Sequence, residues 1–291
     1  MQRQISQESR PFRRPTPLGC LALLYLVGVV FFPISGFDFV YLDVRREVSD
    51  NPHIRGLSGE NLKHIFTSRC VTNYYPVRTL TYAADYHFWG PNPRGFKRTN
   101  GLIHLANVLL AFWLFLRLAN HPAGKPRSTD KWRDVAVATL AAGLFAVHPV
   151  VVQPVVWTAG REELLMTLGV LGCFHCHLTA RRLSEMGNPI RSVVAWHVAA
   201  TGCCLAASLS SAVGAVTPLL ITTWDLLTLA RPKLRKVLFG TSVMWGIGAA
   251  TIVIKTLGPP GPPNPAAPAF LSFERLKLVL NGYRLNLQTL F

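Results

Sequence analysis

Half of the 291 residues are hydrophobic and only 15% are charged, a balance that excludes a soluble chain hiding its apolar side chains in one core. Lysine and arginine outnumber aspartate and glutamate by 30 to 14, a net charge of +16 at pH 7. A single basic patch of that size would suit a nucleic acid, but here the basic residues are dispersed between long apolar stretches, which excludes nucleic acid as a partner and leaves membrane lipids.

In chain order, residues 1–15 form a basic tail with Arg3, Arg10, Arg13 and Arg14. The first apolar stretch, 16–36, is too long for a cleaved leader and contains Pro33, so it reads as a retained membrane span. A loop over 37–99 follows, far longer than a connector requires. Two amphipathic helices are predicted in it. Ser58 caps the first, which places Leu62, Ile65 and Phe66 on one face. The second runs from Pro76 to Trp89 and stops at Gly90-Pro91. Covered apolar faces are expected for Leu62, Phe66, Leu80 and Phe88, with Tyr74, Tyr75, Tyr82, Tyr86 and Trp89 at headgroup level.

Further spans are predicted at 100–119, 134–157, 163–180, 192–210, 213–230 and 237–257. Residues 258–268 are an extended Pro/Gly-rich loop, and 269–291 read as the start of a further helix from about Phe270, cut short, as expected of a truncated chain. No 34-residue repeat is detectable. The fold class is therefore all-α, a polytopic helical bundle occupying 16–257.

The basic residues set its orientation. They precede span one and follow span two (Arg117, Lys125, Arg127, Lys131, Arg133), span four (Arg181, Arg182, Arg191) and span six (Arg231, Lys233, Arg235, Lys236). Alternate connections are poor in them, which predicts a cytoplasmic N-terminus and outer loops at 37–99 and 258–268.

Cys173-Phe-His-Cys176-His177 has the spacing of covalent haem attachment. It lies in the half of span four next to Arg181 and Arg182, the wrong side for that chemistry, and its side chains diverge around the helix. Small polarizable packing residues are the better reading, and no metal ligands are assigned. Polar residues near the outer ends of spans carry more, because an ionisable group buried at membrane depth is costly. Asp43, His104, His148, Gln153, Arg161, Glu162 and Glu163 are the candidates.

A resemblance rests on three runs: Asp50-Asn-Pro-His-Ile-Arg55-Gly with Asn73-Tyr-Tyr-Pro-Val-Arg78; Gly95-Phe-Lys-Arg-Thr-Asn100-Gly-Leu-Ile-His104-Leu-Ala-Asn107; and His148-Pro149 with Trp157-Thr-Ala-Gly-Arg161-Glu-Glu163. Over about residues 37–230 they resemble the membrane domain of the transmembrane and tetratricopeptide-repeat O-mannosyltransferases and their bacterial relatives. The resemblance implies a GT-C glycosyltransferase fold and inverting transfer of a sugar, mannose first, from a polyprenyl-phosphate carrier to a hydroxyl acceptor, a protein being one class of acceptor. It implies Asp43 as catalytic base, with Arg161 holding the departing phosphate; His148, Glu163 and His104 are expected as further substrate-binding residues from their place at the ends of spans. No cofactor is assigned; a divalent metal is compatible with that chemistry. The membrane implied is a bacterial inner membrane, or the endoplasmic reticulum in a eukaryote.

The chain departs from the pattern where relatives carry consecutive acidic residues, having Asp43-Val44-Arg45, and at Gln153 and Ser211-Ala212. These departures define the alternative, a catalytically degenerate scaffold retaining the fold. A transporter would show symmetry-related halves, and none is visible.

Overall fold

A computed structural model describes residues 15–39, 44–69, 73–119, 130–229 and 234–257. Ten α-helices lie within them: α1 (Pro15–Phe31), α2 (Gly59–Thr67), α3 (Pro76–Trp89), α4 (Pro93–Ala119), α5 (Lys131–Val147), α6 (Pro149–Val156), α7 (Arg161–Glu185), α8 (Ile190–Ser210), α9 (Thr217–Thr228) and α10 (Leu234–Leu257). The protein is an all-α, multi-pass membrane bundle. Five stretches, Thr16–Ile34, Pro93–Ala119, Thr158–Glu185, Ile190–Ser210 and Val237–Leu257, are long and apolar enough to cross a bilayer. Their outward faces carry Leu18, Leu21, Tyr25, Val198, Phe239 and Val243, all exposed, the inside-out pattern that lipid as solvent requires.

The remaining two predicted spans are not single straight helices. Where one helix was expected over 134–157, α5 and α6 meet at an angle of 57°. Pro149 is the cause. It has no N–H for the carbonyl four residues back, and the Val150 N–H is diverted to His148 Nδ1 at 3.3 Å, so His148 caps α6 instead of continuing α5. The span expected at 213–230 is a 3₁₀ turn, Ala212–Val216, followed by the 12-residue α9. The proposed eighth helix lies outside the described residues.

Small residues set the closest approaches. A Cβ added at Gly169 of α7 would lie 2.8 Å from the Ala207 Cβ of α8, so these helices pack backbone to backbone. One apolar core joins α1, α4 and α5 through Leu23, Val27, Val108, Phe112, Ala138 and Ala142. Another joins α7 to α10 through Cys173, Ala200, Cys204, Ile221 and Met244. The Cys-x-x-Cys-His run is divided accordingly. Cys173 packs in that core, whereas His177 Nε2 lies 3.0 Å from both Asp225 carboxylate oxygens, with Arg181 Nη1 2.7 Å from Asp225 Oδ1.

The loop folds over one end of the bundle, called here the loop end. Ser58 Oγ accepts from Asn61 N at 3.2 Å to start α2, and α3 stops at Gly90, whose φ of 62° is the left-handed conformation glycine tolerates. Val44, Val48, Ile54, Ile65, Tyr82, Ala83, Phe96 and Ala159 form a third core beneath the two helices. The expected covered faces need correcting. Leu62 and Leu80 are half-buried, but Phe66 and Phe88 are exposed, Phe88 at 75%. α3 is turned so that Arg78, Tyr82 and Asp85, not Phe88, look into the bundle, because those residues meet ionic and hydrogen-bonding partners there.

Candidate functional site: two arginine clusters at the loop end

α4 carries Asn100, His104 and Asn107 at helical spacing, and each bonds a backbone carbonyl of a neighbouring helix, those met by Asn100 and His104 lying in the last turns of α6 and α5. Asn100 Nδ2 donates to Pro154 O at 3.3 Å and Val155 O at 3.4 Å, in the last turn of α6. His104 Nε2 is 3.0 Å from Ala146 O, which the α5–α6 bend frees, so Nε2 carries the proton. Asn107 Nδ2 donates to Leu164 O at 2.9 Å. This polar seam fixes the junction from which α7 starts.

Arg161, the first residue of α7, is 0% exposed. Its Nε donates to Asn100 Oδ1 at 2.6 Å, Nη1 to Thr81 Oγ1 at 3.3 Å and Nη2 to Phe96 O at 2.8 Å, and Nη2 also lies 2.6 Å from Asp85 Oδ2. The guanidinium sits over the ring of Tyr82 at 4.8 Å. Asp85 accepts from Thr99 at 2.6 Å. Burial pushes the Asp85 carboxyl up from its ordinary range, while Arg161 and Thr99 pull against that shift. Arg161 therefore clamps the loop helix α3 onto α4 and α7 through four protein acceptors.

A second arginine lies two helical turns along, on the same face of α3. Arg78, 2% exposed, bridges two carboxylates, with Nη2 2.7 Å from Glu47 Oε1 and Nη1 2.5 Å from Glu162 Oε2. Glu47 comes from the π-helical turn Arg45–Ser49, directly after the segment that contains Asp43. Tyr82 stands between the two arginines, 5.7 Å from Arg78 and 4.8 Å from Arg161. Its hydroxyl donates to Thr158 O at 2.8 Å, and burial pushes it above the ordinary phenol range.

Beyond Arg78, the Nζ of Lys255, in the last turn of α10, lies 4.7 Å from the centre of the Tyr75 ring and donates to Ser208 O at the end of α8. Arg69 Nη2 donates to Lys255 O at 3.0 Å and Thr256 O at 3.5 Å.

The residues singled out in the sequence separate into three groups. Arg161 and His104 join one buried network through α4. His148 and Glu163 are exposed near the same junction, His148 as the cap of α6. Asp43 lies outside the described residues. Sequence reasoning missed Glu47, Arg78, Asp85 and Lys255 as site residues. A signal was present for the middle two, since Arg78, Tyr82 and Asp85 recur at helical spacing on one face of an amphipathic helix. Among the described residues, no group of three or more His, Cys, Asp or Glu is arranged to hold a metal ion.

Comparison with known proteins gives three informative matches. The chain is 31% identical over 146 residues to Protein O-mannosyl-transferase Tmtc3 of Drosophila melanogaster, covering 47% of this chain and 15% of that protein. It is 27% identical over 174 residues to Protein O-mannosyl-transferase F38B6.6 of Caenorhabditis elegans, covering 56% and 23%. It is 35% identical over 118 residues to human Protein O-mannosyl-transferase TMTC4, covering 39% and 15%. This chain is similar to protein O-mannosyl-transferases. The resemblance read from its motifs is thereby borne out, over alignments that span between 15% and 23% of those proteins' lengths. No family model and no solved structure matches.

Proposed function

We propose that the chain is the membrane domain of a glycosyltransferase that moves a sugar, mannose first, from a polyprenyl-phosphate carrier to a hydroxyl acceptor at the loop end of a GT-C-type bundle. The observation that carries this reading is the pair of buried arginine clusters roofed by α2 and α3 at one end of an apolar bundle, in a chain similar to protein O-mannosyl-transferases. Ionisable groups are costly at membrane depth, and so much buried charge beneath a long loop is the expected form of a polar site open to lipid.

In this reading the acceptor oxygen attacks the anomeric carbon with inversion as the carbon–oxygen bond to phosphate breaks. The bonding pair leaves on the polyprenyl phosphate, and Asp43 takes the acceptor proton. Glu47, four residues after Asp43 in the chain, is held by Arg78. Arg161 acts on the reaction by fixing the α3 roof through Asp85 and Asn100, and His104 by fixing the α5–α6 bend. His148 and Glu163, exposed at the same junction, are the remaining substrate contacts. The loop end faces the periplasm of a bacterium or the lumen of the endoplasmic reticulum, opposite the basic connections.

The test is transfer from polyprenyl-phosphate mannose, and in parallel glucose, by the full chain in proteoliposomes, with Asp43→Asn as comparison. A general base contributes ~10²–10⁴-fold, so a loss in that range is expected. Undiminished transfer by Asp43→Asn would move the base elsewhere, with Glu162 and Glu163 next in line.

A further inference from the structure

We infer that the turn joining α3 to α4 is a binding site for phospholipid headgroups, with Arg94 and Arg98 on the phosphates and Phe37, Phe88 and Trp89 among the glycerol esters beside them. The site stands apart from the proposed function, since its ligand is the bilayer and not the reacting lipid.

The turn is built rigidly. Gly90 takes a φ of 62°, prolines occupy positions 91 and 93, and Asn92 Oδ1 accepts from Arg94 N at 3.0 Å. Trp89 is pressed against the first turn of α4, where a Cβ at Gly95 would collide with its Cβ, Cγ and Cδ1. On the other flank Lys97 Nζ donates to Phe37 O at 2.9 Å and Asp38 O at 2.7 Å, which fastens the residues after α1 to α4, and the Phe37 ring lies 5.8 Å from Nζ. With 3.6 residues per turn, Lys97, Arg94, Arg98 and Gly95 follow one another around α4 in that order. Both arginines therefore stand between Phe37 and Trp89.

The surface so formed is aromatic and basic. Phe37, Phe88 and Trp89 are exposed. Arg94 and Arg98 are exposed too, and neither makes an ion pair with a described residue; the Arg98 guanidinium lies 6.0 Å from the centre of the Trp89 ring. Asp38, acidic and exposed on the Phe37 flank, acts on Lys97. Leu102 sets the depth of this surface. It lies one turn below Arg98 on the same face, is 66% exposed, and belongs to a stretch long and apolar enough to cross a bilayer, so lipid covers it. Along α4, Arg98 stands about 6 Å above Leu102, within the polar layer ~5–8 Å deep that borders the hydrocarbon. Rings with a polar edge and cations with apolar stems are the side chains that settle in that layer. A polypeptide could complement the charge equally, but it would not account for the continuation of the patch into a lipid-facing stripe.

Two measurements on the full chain in nanodiscs test the site. A spin label on Phe88→Cys is probed with oxygen, which partitions into lipid, and with a water-soluble nickel chelate; the unsubstituted protein, labelled in parallel, supplies the signal of the native cysteines. Preferential relaxation by oxygen is expected. Preferential relaxation by the chelate overturns the site, and so does protection from both, which would place protein over the patch. The second measurement is retention of phosphatidylglycerol against phosphatidylcholine, read by native mass spectrometry. Arg94→Gln and Arg98→Gln should each weaken it about fivefold, the effect of one basic residue beside an anionic surface, and Arg98→Lys should keep most of it. Unchanged retention in both glutamine variants overturns the phosphate contacts and with them the site. If a glutamine variant lowers the unfolding temperature, Arg98→Lys and the spin label, which leave the charge in place, still decide between lipid and water at the turn.

Discussion

Each buried arginine at the loop end has a different exposure to mutation, and the difference follows from what its partners would be left with. Asp85→Ala strands the Arg161 guanidinium with neutral acceptors only. Removing one partner of a buried ion pair typically costs ~3–5 kcal/mol, so a large fall in thermal unfolding temperature in detergent is expected. Arg161→Lys should not restore stability, because a lysine has no planar fork to reach Asn100, Thr81, Phe96 O and Asp85 at once. The double variant Asp85→Leu/Arg161→Met should cost less than the sum of the single changes, and strict additivity would show that the two residues do not form a pair. His104 is a milder case. Its replacement by leucine unpairs Ala146 O but also removes a buried Nδ1 that has no partner among the described residues, so a loss of ~1 kcal/mol is expected, at the low end for an unmade buried hydrogen bond. Arg161 stood out in the sequence as a charged residue just beyond the predicted span 134–157. Its partners were not legible, since Asp85 and Asn100 lie 76 and 61 positions away and no local pattern links them.

Helices whose limits depend on local chemistry agreed closely with the sequence. α3 runs from Pro76 to Trp89 as expected, because a proline at the first position and a glycine with positive φ at the end are local signals. The 57° bend between α5 and α6 was missed because the hydropathy of 134–157 is continuous across Pro149, and a window that averages hydropathy does not register one absent N–H. The rotation of α3 was missed for a related reason. Phe88 is apolar and Arg78 charged, yet ion pairing draws Arg78 inward and lipid leaves Phe88 out. The loop also carries a pH-sensitive contact, in which the His53 and His64 rings stack at 3.4 Å between centroids. Burial, and then His53, holds His64 below its ordinary value of 6.5. The folded loop therefore binds a proton less readily than the open one, so its stability is present above pH 6.5 and is lost as pH falls through that value toward the depressed one. Hydrogen exchange over 53–66 should quicken at pH 5.5 relative to pH 7.5, and His64→Gln should remove most of that difference. Equal exchange at both values in the wild type would contradict it.

At the scale of the whole molecule, the all-α bundle was legible because lipid imposes a length and a composition on each crossing, whereas the number of crossings was not, since five of the seven predicted spans are single helices long and apolar enough to cross. The sidedness rests on the basic connections alone and is directly checkable. In a Cys70→Ser background, a cysteine at position 60 should react with an impermeant reagent in intact cells, and one at position 187, in the turn between α7 and α8, only after permeabilisation; the reverse pattern would invert the topology. The central claim is that the loop end transfers a lipid-linked sugar, and radiolabelled polyprenyl-phosphate mannose supplied to the full chain in proteoliposomes tests it most directly. The account predicts time-dependent movement of label from the lipid phase to a hydroxyl acceptor, with release of polyprenyl phosphate and loss of activity in Asp43→Asn. No release of polyprenyl phosphate from mannose- or glucose-linked donors, by folded protein with accessible acceptor, would contradict it.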